Sequence, residues 1–275
     1  MSVLDEKYQK LQVFLRRLPS AAVAFSGGVD SSFLCAAAKE ALGDNALAIT
    51  IVSPMLPRRE IDDAKQLAAQ IGIEHILLQS GGIEDDVAPN SADRCYHCKK
   101  HEFGAVIECA KQRGIGAVLD GTNADDEGDY RPGMRAIAEL GVLSPLREAG
   151  LGKADIRALS KERSLPTWDK PAFACLASRI PYGEGIDPEK LAKIEEAEEI
   201  LAEAGFRQTR VRWHSITGGA LARIEVAPEE RSKFFDLALL DILSEKIKCT
   251  GFVYAAFELS GYKTGSMNAV LKEKQ

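Results

Sequence analysis

The sequence predicts an α/β protein in which a parallel sheet with helices on both faces precedes a small C-terminal α+β domain. Short, continuous apolar runs such as 21–25 and 46–52 alternate with segments of helical periodicity, which is typical of buried parallel strands. A stretch rich in proline and glycine, residues 166–186, interrupts this alternation. The pattern then changes to alternating strands and a capped helix. We therefore predict a first domain over 1–165, a linker loop over 166–186 and a second domain over 187–275.

The first domain is predicted to begin with a helix over 2–18, in which Leu4, Leu11 and Leu15 recur at helical spacing and which Pro19 ends. Its other predicted elements are strands at 21–25, 46–52, 75–78, 117–121 and 142–144, and helices over 31–42, 58–71, 95–113 and 152–163. Ligands of such sheets bind beyond the carboxyl ends of the strands. Functional residues are therefore expected in the loops that follow strands.

The second domain is predicted to be a small α+β unit. A capped helix runs from Asp187 to Ala204, and the alternating segments 208–215 and 220–226 form a hairpin. A helical region after Pro228 and a last strand over 252–259 complete the unit.

The composition argues against binding to nucleic acid or to a membrane. The formal net charge is −6 and the pI is near 5.4, so no general positive field attracts nucleic acid. No apolar run approaches the roughly 20 residues that span a bilayer, and the first residues, MSVLDEKYQK, lack the apolar core of a signal peptide. We therefore expect a cytoplasmic protein whose six cysteines stay reduced.

The first strand runs directly into SGGVDSS, residues 26–32, where a helix begins. A strand that turns through glycines into a helix directs free backbone N–H groups and the positive end of the helix dipole at one point, which favours an anion such as phosphate. The loop is not a Walker A motif, because no lysine follows Gly28. An ordinary strand–helix turn of small residues would not explain Asp30, whose charge at the mouth of an anion site implies a bound cation.

The pattern SGGxDS resembles the pyrophosphate loop (PP-loop) of the ATP pyrophosphatases, which cleave ATP between the α- and β-phosphates and adenylate a substrate. The resemblance implies that Asp30 helps to hold Mg²⁺. It also implies that the small residues of the loop bind ATP, namely Ser26, Gly27, Gly28, Ser31 and Ser32.

Two further loops follow predicted strands. Ser53 comes after the second strand, where nucleotide-binding proteins of this layout commonly seat the adenine. The segment 120–133 comes after the fourth strand and carries a cluster of three carboxylates, Asp125, Asp126 and Glu127. Carboxylates beside ATP phosphates suit Mg²⁺, and we assign Asp126 as a ligand, although spacing alone leaves a solvated acidic loop as the alternative.

Cys95 and Cys98 lie in the first turns of their predicted helix, where residues three apart share a face. The pair fits a redox couple, half of a zinc site with His97 or His101, or an iron–sulfur site that lacks one cysteine. Cys175, in the loop rich in proline and glycine, is the candidate for the missing cysteine. The remaining cysteines are predicted to be core residues of helices, namely Cys35, Cys109 and Cys249.

Arg210 and Arg212 alternate with Val211 and Trp213 along the strand 208–215, so the two arginines share one face. Guanidinium groups suit a phosphate because they are always charged and bind it through two N–H groups. An exposed strand face with solvated charges fits the same spacing, and the sequence alone does not decide between the two.

Several motifs taken together resemble the LarE family over nearly the whole chain: SGGVDSS, DGTNADDEGDYRPG, KPAFACLASRIPYGE, RVRWH with ARIEV, and GYKTGSMN. Members of this family are ATP-dependent sulfurtransferases that act on pyridinium-3,5-biscarboxylate mononucleotide in the synthesis of the nickel-pincer nucleotide cofactor of lactate racemase. The resemblance implies a PP-loop domain of the adenine nucleotide alpha hydrolase-like fold, ATP and Mg²⁺ as cofactors, and a homo-oligomer that is hexameric in known members. Transient contacts with other enzymes of the cofactor pathway are also expected.

The resemblance implies roles for individual residues. Cys175 matches the essential cysteine of the family. Binding of the substrate or its phosphate is implied for three arginines and two glutamates, namely Arg179, Arg210, Arg212, Glu198 and Glu225.

Members with a single active-site cysteine give up its sulfur and are left with dehydroalanine. This chain resembles instead the subgroup in which three cysteines, here Cys95, Cys98 and Cys175, bind a [4Fe–4S] cluster whose fourth iron holds the sulfide that is transferred. We therefore expect the Cys175 loop to fold back over the start of the 95–113 helix. The competing interpretations are a sacrificial Cys175, a tRNA thiolase or amide-forming ligase of the same superfamily, and an ATP-binding regulatory module with zinc at Cys95, Cys98, His101 and Cys175.

Overall fold

The computed structural model describes residues 2–126, 132–171 and 174–263. Its contacts divide the chain into two compact units. Unit 1 comprises Met1–Gly82 and Cys95–Phe173, and unit 2 comprises Ile83–Arg94 and Ala174–Gln275. This division differs from the predicted one, because twelve residues from the middle of the predicted first domain, 83–94, belong to the C-terminal unit.

Unit 1 contains a four-stranded parallel sheet in the order β3-β2-β1-β4. Alternate residues of β1 belong to different apolar clusters, Ala21 and Val23 to one and Ala22 to the other, so both faces of the strand are covered. The predicted parallel sheet with helices on both faces is therefore confirmed. Its strands are β1 (Ala21–Ala24), β2 (Ala46–Val52), β3 (Glu74–Gln79) and β4 (Ala117–Leu119).

The helices of unit 1 pack on the two faces of this sheet. They are α1 (Val3–Arg16), α2 (Val29–Leu42), α3 (Arg58–Ile71), α4 (Arg94–Gln112), α5 (Pro132–Glu139), α6 (Pro145–Glu148) and α7 (Lys153–Glu162). Buried residues of α1, α2, α3 and α7 form the cluster on one face, and residues of α4 and α5 such as Phe103 and Ile137 form the cluster on the other. Among the described helices, none combines the length and apolar character that crossing a bilayer requires.

The fifth predicted strand, 142–144, is reduced to a single parallel bridge between Leu143 and Leu119. The N–H of Leu143 donates to the carbonyl of Val118, and its carbonyl accepts from the N–H of Asp120, both at 2.9 Å. The pairing cannot continue past this point, because Pro145 has no N–H and begins α6.

Unit 2 contains a three-stranded sheet in the order β5-β6-β7, in which β5 and β6 are antiparallel and β6 and β7 parallel. The predicted hairpin is therefore present. Its elements are α8 (Pro188–Glu203), β5 (Thr209–Ile216), β6 (Gly219–Val226), α9 (Leu237–Cys249) and β7 (Tyr254–Phe257). Asp187 caps α8 as predicted, since its side chain accepts from the N–H of Lys190 at 2.9 Å.

The prediction that three cysteines are core residues is correct for Cys35, holds in part for Cys109, which packs at the margin of an apolar cluster, and is wrong for Cys249. Cys35 is buried in α2, whereas Cys109 is half-buried. Cys249 is exposed, because it is the last residue of α9, a helix that also leaves Leu237 and Ile242 exposed.

The loop after β4 approaches the start of α2 so closely that only glycine fits at position 121. A Cβ on Gly121 would lie 3.0 Å from the backbone nitrogen of Ser31 and 3.3 Å from its Cα. Both groups are backbone atoms of one helix turn, so α2 itself would have to shift. The β4 loop thus sets the position of the helix that begins beside residues 26–28.

Gly121→Ala is therefore expected to lower the free energy of unfolding by about 1–3 kcal/mol, the usual effect of overpacking, as measured by urea denaturation. ATP binding should weaken in parallel, because the start of α2 moves. The matched control is Gly104→Ala on α4, where no atom lies within 4 Å of the added Cβ. It should raise stability by up to about 1 kcal/mol, since alanine is the better helix former. Equal stability of the two variants would contradict the packing argument.

Candidate active site

The loop between β1 and α2 has the geometry of an anion site. Gly27 has a φ of +69°, which favours glycine, and Gly28 is the N-cap of α2 without a side-chain cap. The hydroxyls of Ser31 and Ser32 donate to the carbonyl of Gly28 at 3.3 and 2.6 Å, and the hydroxyls of Ser26 and Ser31 lie 3.1 Å apart. The predicted ATP-binding residues of the loop are thus brought together at the start of one helix, where N–H groups and the helix dipole favour phosphate.

Asp30 lies at this helix start and is paired with Lys153, the first residue of α7. The backbone N–H of Lys153 donates to Asp125 at 2.7 Å. Among the described residues, no group donates a hydrogen bond to the buried Oδ1 of Asp30. A shielded carboxylate oxygen without a donor fits a Mg²⁺ ligand, because buried acceptors are otherwise almost always satisfied.

A second lysine, Lys170, lies beside the same loop. Its ammonium contacts the carboxylates of Glu60 at 2.8 Å and Asp63 at 2.9 Å, and the carbonyl of Gly27 at 3.4 Å. The carboxylate of Glu60 is only 3% exposed, so the pair is well shielded from solvent. Lys170 therefore fixes the backbone of the glycine that turns the loop.

Asp120 anchors the loop that carries the predicted Mg²⁺ ligand. Its carboxylate accepts from the hydroxyl of Ser144 at 2.6 Å and from the hydroxyl of Thr122. Burial raises the pKa of Asp120, and the two hydroxyl bonds act in the opposite direction. Downstream, the carboxylate of Asp126 accepts from the N–H of Asn123 at 3.0 Å.

Two other predicted residues of the nucleotide site are Glu127 and Ser53. Glu127 lies outside the described residues. Ser53 directly follows β2 and therefore lies at the expected edge of the sheet. Its carbonyl accepts a hydrogen bond from the N–H of Leu56 at 3.0 Å.

Cys95 and Cys98 are half-buried on the first turns of α4, as predicted. The thiol of Cys98 donates to Glu102 at 3.4 Å, and Lys99 pairs with the same carboxylate at 3.0 Å. Within each unit taken alone, the described residues include no group of three His, Cys, Asp or Glu side chains placed to hold a metal ion. Cys95 and Cys98 belong to unit 1 and Cys175 to unit 2, so their convergence stays a prediction.

Cys175 is half-buried and precedes a 3-10 turn, Leu176–Arg179, onto which the side chain of Arg179 folds back. The Nη1 of Arg179 donates to the carbonyl oxygens of Ala174 at 2.5 Å and Cys175 at 3.0 Å. Its Nε and Nη2 donate to the two carboxylate oxygens of Glu198, at 2.8 and 3.0 Å. The Arg179 side chain is 0% exposed, so it is part of the loop's interior.

The segment 83–94 binds the continuation of this loop. The amide nitrogen of Asn90 donates to the carbonyls of Ile180 at 3.2 Å and Pro181 at 2.8 Å, and its amide oxygen accepts from Arg94 at 2.5 Å. Arg94 also donates to the carbonyl of Ala177 at 3.2 Å. Asn90 has a φ of +57°, a conformation that asparagine tolerates better than most residues.

The arginines of β5 are buried, which excludes the exposed face of solvated charges. Arg210 is 7% and Arg212 4% exposed. Arg212 donates to Glu225 through Nε at 3.1 Å and Nη2 at 2.7 Å, and through Nη1 to the carbonyl of Ser178 at 3.1 Å. Burial lowers the pKa of Arg210, and the nearby positive charge of Arg179 lowers it further. The surroundings of Arg210 therefore favour a bound anion.

Sequence reasoning missed four residues of these clusters: Asn90, Arg94, Lys153 and Lys170. One of them carried a detectable signal. Lys153 is the first residue of a predicted helix, and a cation at this position is unusual because the helix dipole disfavours it. The other three act through contacts with residues distant in the chain, for which no spacing rule exists.

Comparisons with known proteins find similarity in both units of the chain. The asparagine synthase family matches residues 15–126, which include the glycine loop and Asp125 and Asp126. A protein of Synechocystis described as uncharacterized is 41% identical over 270 residues, which cover 98% of this chain and 99% of its own length.

Two further relatives also cover nearly the whole chain. The pyridinium-3,5-bisthiocarboxylic acid mononucleotide synthase of Lactiplantibacillus plantarum is 36% identical over 277 residues, covering 100% of this chain and 98% of its own length. An uncharacterized protein of Methanocaldococcus jannaschii is 30% identical over 261 residues, covering 95% of this chain and 94% of its own length. The similarity therefore extends beyond the nucleotide-binding unit.

Lys153→Gln is expected to weaken the binding of Mg²⁺–ATP about tenfold or more, because one charge-assisted contact is worth about 1.5–3 kcal/mol. Isothermal titration with ATP in the presence of Mg²⁺ measures the change. The control is Lys161→Gln on the same helix, whose ammonium lies 4.6 Å from the ring centroid of Trp168 and should not affect ATP binding. Unchanged affinity in Lys153→Gln would mean that Lys153 only neutralises Asp30.

Proposed function

This chain belongs to the LarE family of ATP-dependent sulfurtransferases, and from that premise we propose that its substrate is pyridinium-3,5-biscarboxylate mononucleotide. The proposed reaction adenylates a carboxylate of this substrate and converts it to a thiocarboxylate, a step in nickel-pincer nucleotide cofactor synthesis. Similarity to the Lactiplantibacillus plantarum synthase over both units supports the proposal. We also propose that the protein is a cytoplasmic homo-hexamer and that it contacts other enzymes of the pathway transiently.

The loop between β1 and α2 suits the first step. A carboxylate is a poor electrophile, so one of its oxygens first attacks the α-phosphorus of ATP and pyrophosphate leaves. The N–H groups at the start of α2 and the ammonium of Lys153 stabilise the negative charge on the leaving pyrophosphate. Asp30 and Asp126 are the proposed ligands of Mg²⁺, which would neutralise further phosphate charge.

The second step requires a sulfur nucleophile at the acyl carbon of the adenylate, from which AMP leaves. We propose that Cys95, Cys98 and Cys175 hold a [4Fe–4S] cluster. When bound, the cluster supplies the sulfide that is transferred, so that no protein sulfur is consumed. All three cysteines are half-buried, which fits thiolate ligands that are reachable from solvent.

The observation that carries this proposal is the contact of Arg94 with the Cys175 loop. Arg94 donates to the carbonyl of Ala177, two residues after Cys175, and Asn90 holds the same guanidinium. Arg94 is also the residue directly before Cys95, and consecutive Cα atoms are about 3.8 Å apart. The residue that precedes the CxxC motif thus contacts the loop of the third cysteine within unit 2, and this contact supports the proposed ligation by all three cysteines.

Arg210 is the proposed ligand of the substrate phosphate. Burial lowers the pKa of Arg210, and the positive charge of Arg179 lowers it further, whereas the charge of Glu198 acts in the opposite direction. A phosphate bound there would offset both burial and repulsion. Arg212 and Glu225 bind each other, and for them we propose a supporting role beside the phosphate.

The cluster hypothesis predicts about four irons and matching acid-labile sulfide per chain, measured after purification without oxygen. Cys175→Ala should lose the cluster or make it labile. Cys249→Ala, which removes an exposed thiol on α9, should keep full iron and sulfide content. With ATP and the mononucleotide, the wild-type enzyme should release both AMP and pyrophosphate.

The competing interpretations give different results in the same samples. Zinc in place of iron, with ATP bound but not cleaved, would indicate the regulatory zinc module. Neither metal, together with loss of one equivalent of hydrogen sulfide from Cys175 per turnover, would indicate sacrificial sulfur donation. Cleavage of ATP that depends on tRNA instead of the mononucleotide would indicate a tRNA thiolase.

Arg210→Gln is expected to raise KM for the mononucleotide by about tenfold to a hundredfold with little change in KM for ATP, because a charge-assisted phosphate contact is lost. Steady-state kinetics of AMP release measure both constants. Arg231→Gln is the control, because this arginine is tied to the carbonyls of Pro228 and Leu259 at the surface. If KM for the mononucleotide rose equally in Arg210→Gln and Arg231→Gln, a specific role for Arg210 would be excluded.

A further inference from the structure

We propose that Arg179 is a positioning residue that holds Cys175 in its reactive orientation, and that it is not a ligand of the substrate. The inference rests on the proposed function, in which Cys175 takes part in sulfur transfer. It replaces the substrate contact that the family resemblance implies for Arg179 with a contact to the cysteine's own backbone.

The guanidinium of Arg179 is engaged on both of its sides. The Nε–Nη2 edge forms the two-point contact with Glu198, and Nη1 reaches the carbonyls of Ala174 and Cys175. A third bond from Nη1, 3.0 Å long, runs to the hydroxyl of Ser178. The side chain is fully buried. An anionic ligand would therefore have to displace Glu198 or open the turn before it touched Arg179.

Glu198 gives this contact a fixed reference in the fold. It lies on α8, and its Oε1 also accepts from the backbone N–H of Val211 in β5, at 2.9 Å. Arg179 is consequently held between a helix and a strand of unit 2. The carbonyl oxygens on either side of the Cys175 α-carbon are tied to that frame.

Holding both carbonyls restricts the direction of the thiol. The peptide groups before and after a residue determine its backbone dihedral angles, and these set the direction of the Cα–Cβ bond and limit the rotamers that Sγ can adopt. The Cys175 carbonyl also accepts from the N–H of Ser178 at 3.0 Å. Other donors hold the later part of the loop, since Arg212 binds the carbonyl of Ser178 and Asn90 binds Ile180. Arg179 supplies the side-chain donor to the two carbonyls on either side of the Cys175 α-carbon.

The test uses Arg179→Gln, Arg179→Lys and Glu198→Gln in the full chain without cluster or ligands. Each variant is treated with iodoacetamide, and the alkylation rate of Cys175 is read by mass spectrometry against that of Cys249, the exposed cysteine on α9. We expect the ratio to rise several-fold in Arg179→Gln and Glu198→Gln, because the turn is released. Arg179→Lys keeps one donor without the fork geometry and should lie in between.

The same variants are then assayed for AMP release and thiocarboxylate formation. We expect kcat for thiocarboxylate formation to fall about a hundredfold, the effect of a small misplacement of a reacting group. KM for the mononucleotide should stay within about twofold of wild type, in contrast to Arg210→Gln. The double variant Arg179→Gln/Glu198→Gln should have the same kcat as either single variant, since each substitution alone already removes the contact between Arg179 and Glu198.

An unchanged or slower alkylation of Cys175 in the folded variants would overturn the proposal, as would a raised KM with kcat intact. Circular dichroism verifies folding, and if Arg179→Gln does not fold, Arg179→Lys and Glu198→Gln carry the test. The alkylation arm needs neither ATP nor the mononucleotide. The alkylation result therefore tests the positioning role even if the proposed reaction is wrong. Failure of the proposed reaction and failure of the positioning role are thus distinguishable.

Discussion

A loop built of glycine and serine binds a polyphosphate through its backbone N–H groups, and positive charge on neighbouring elements strengthens this binding. In unit 1 that charge comes from α7 and the turn after it. Lys153 begins the helix and reaches Asp30, and Lys170 reaches the carbonyl of Gly27. Arg157 of α7 ties the two together, because it binds the carbonyl of Lys170 at 2.8 Å. The position of one helix thus determines the electrostatics of the nucleotide site.

The dipole of α7 disfavours a lysine at its first position, and the two acidic partners of Lys153 offset this cost. Its side chain meets Asp30 and its N–H meets Asp125. The two aspartates follow different strands along the chain, since Asp30 lies in the first turn of α2 after β1 and Asp125 lies in the segment after β4. The parallel sheet brings both carboxylates to Lys153, because the chain leaves both strands at the same edge of the sheet.

Unit 2 places several arginines on one hairpin, and two of them, Arg210 and Arg212, are buried. Arg212 lies directly opposite Arg223 in the register of β5 and β6, and like charges in opposite positions destabilise a hairpin. Glu225 removes the conflict because one oxygen accepts from Arg212 and the other from Arg223. Such a buried network costs desolvation energy and specifies one register, since any slip would leave charges without partners.

Local sequence patterns predicted the elements well and their long-range partners poorly. The second strand and the helix Arg58–Ile71 agree with the structure at both ends, because a continuous apolar run and a strong helical period are set by neighbouring residues. Cys249 was misplaced since an apolar helix can leave one end in solvent. Segment 83–94 was predicted within the first domain, whereas its contacts place it in unit 2. One asparagine and one arginine make these contacts with backbone carbonyls 83 to 91 residues later in the chain, and every residue type has such a carbonyl, so no sequence pattern predicts the partner.

The membership of residues 83–94 in unit 2 has a consequence for the order of folding. Asn90 finds its carbonyl partners 90 and 91 positions later in the chain. On the ribosome, where N-terminal parts fold first, the strands and helices of unit 1 emerge while this segment still lacks the loop it binds. Asn90 can accordingly form these two bonds only after Ile180 and Pro181 have been synthesised. A chain truncated ahead of Ala174 would therefore keep the strands of the parallel sheet but would lack the two carbonyl groups that Asn90 binds.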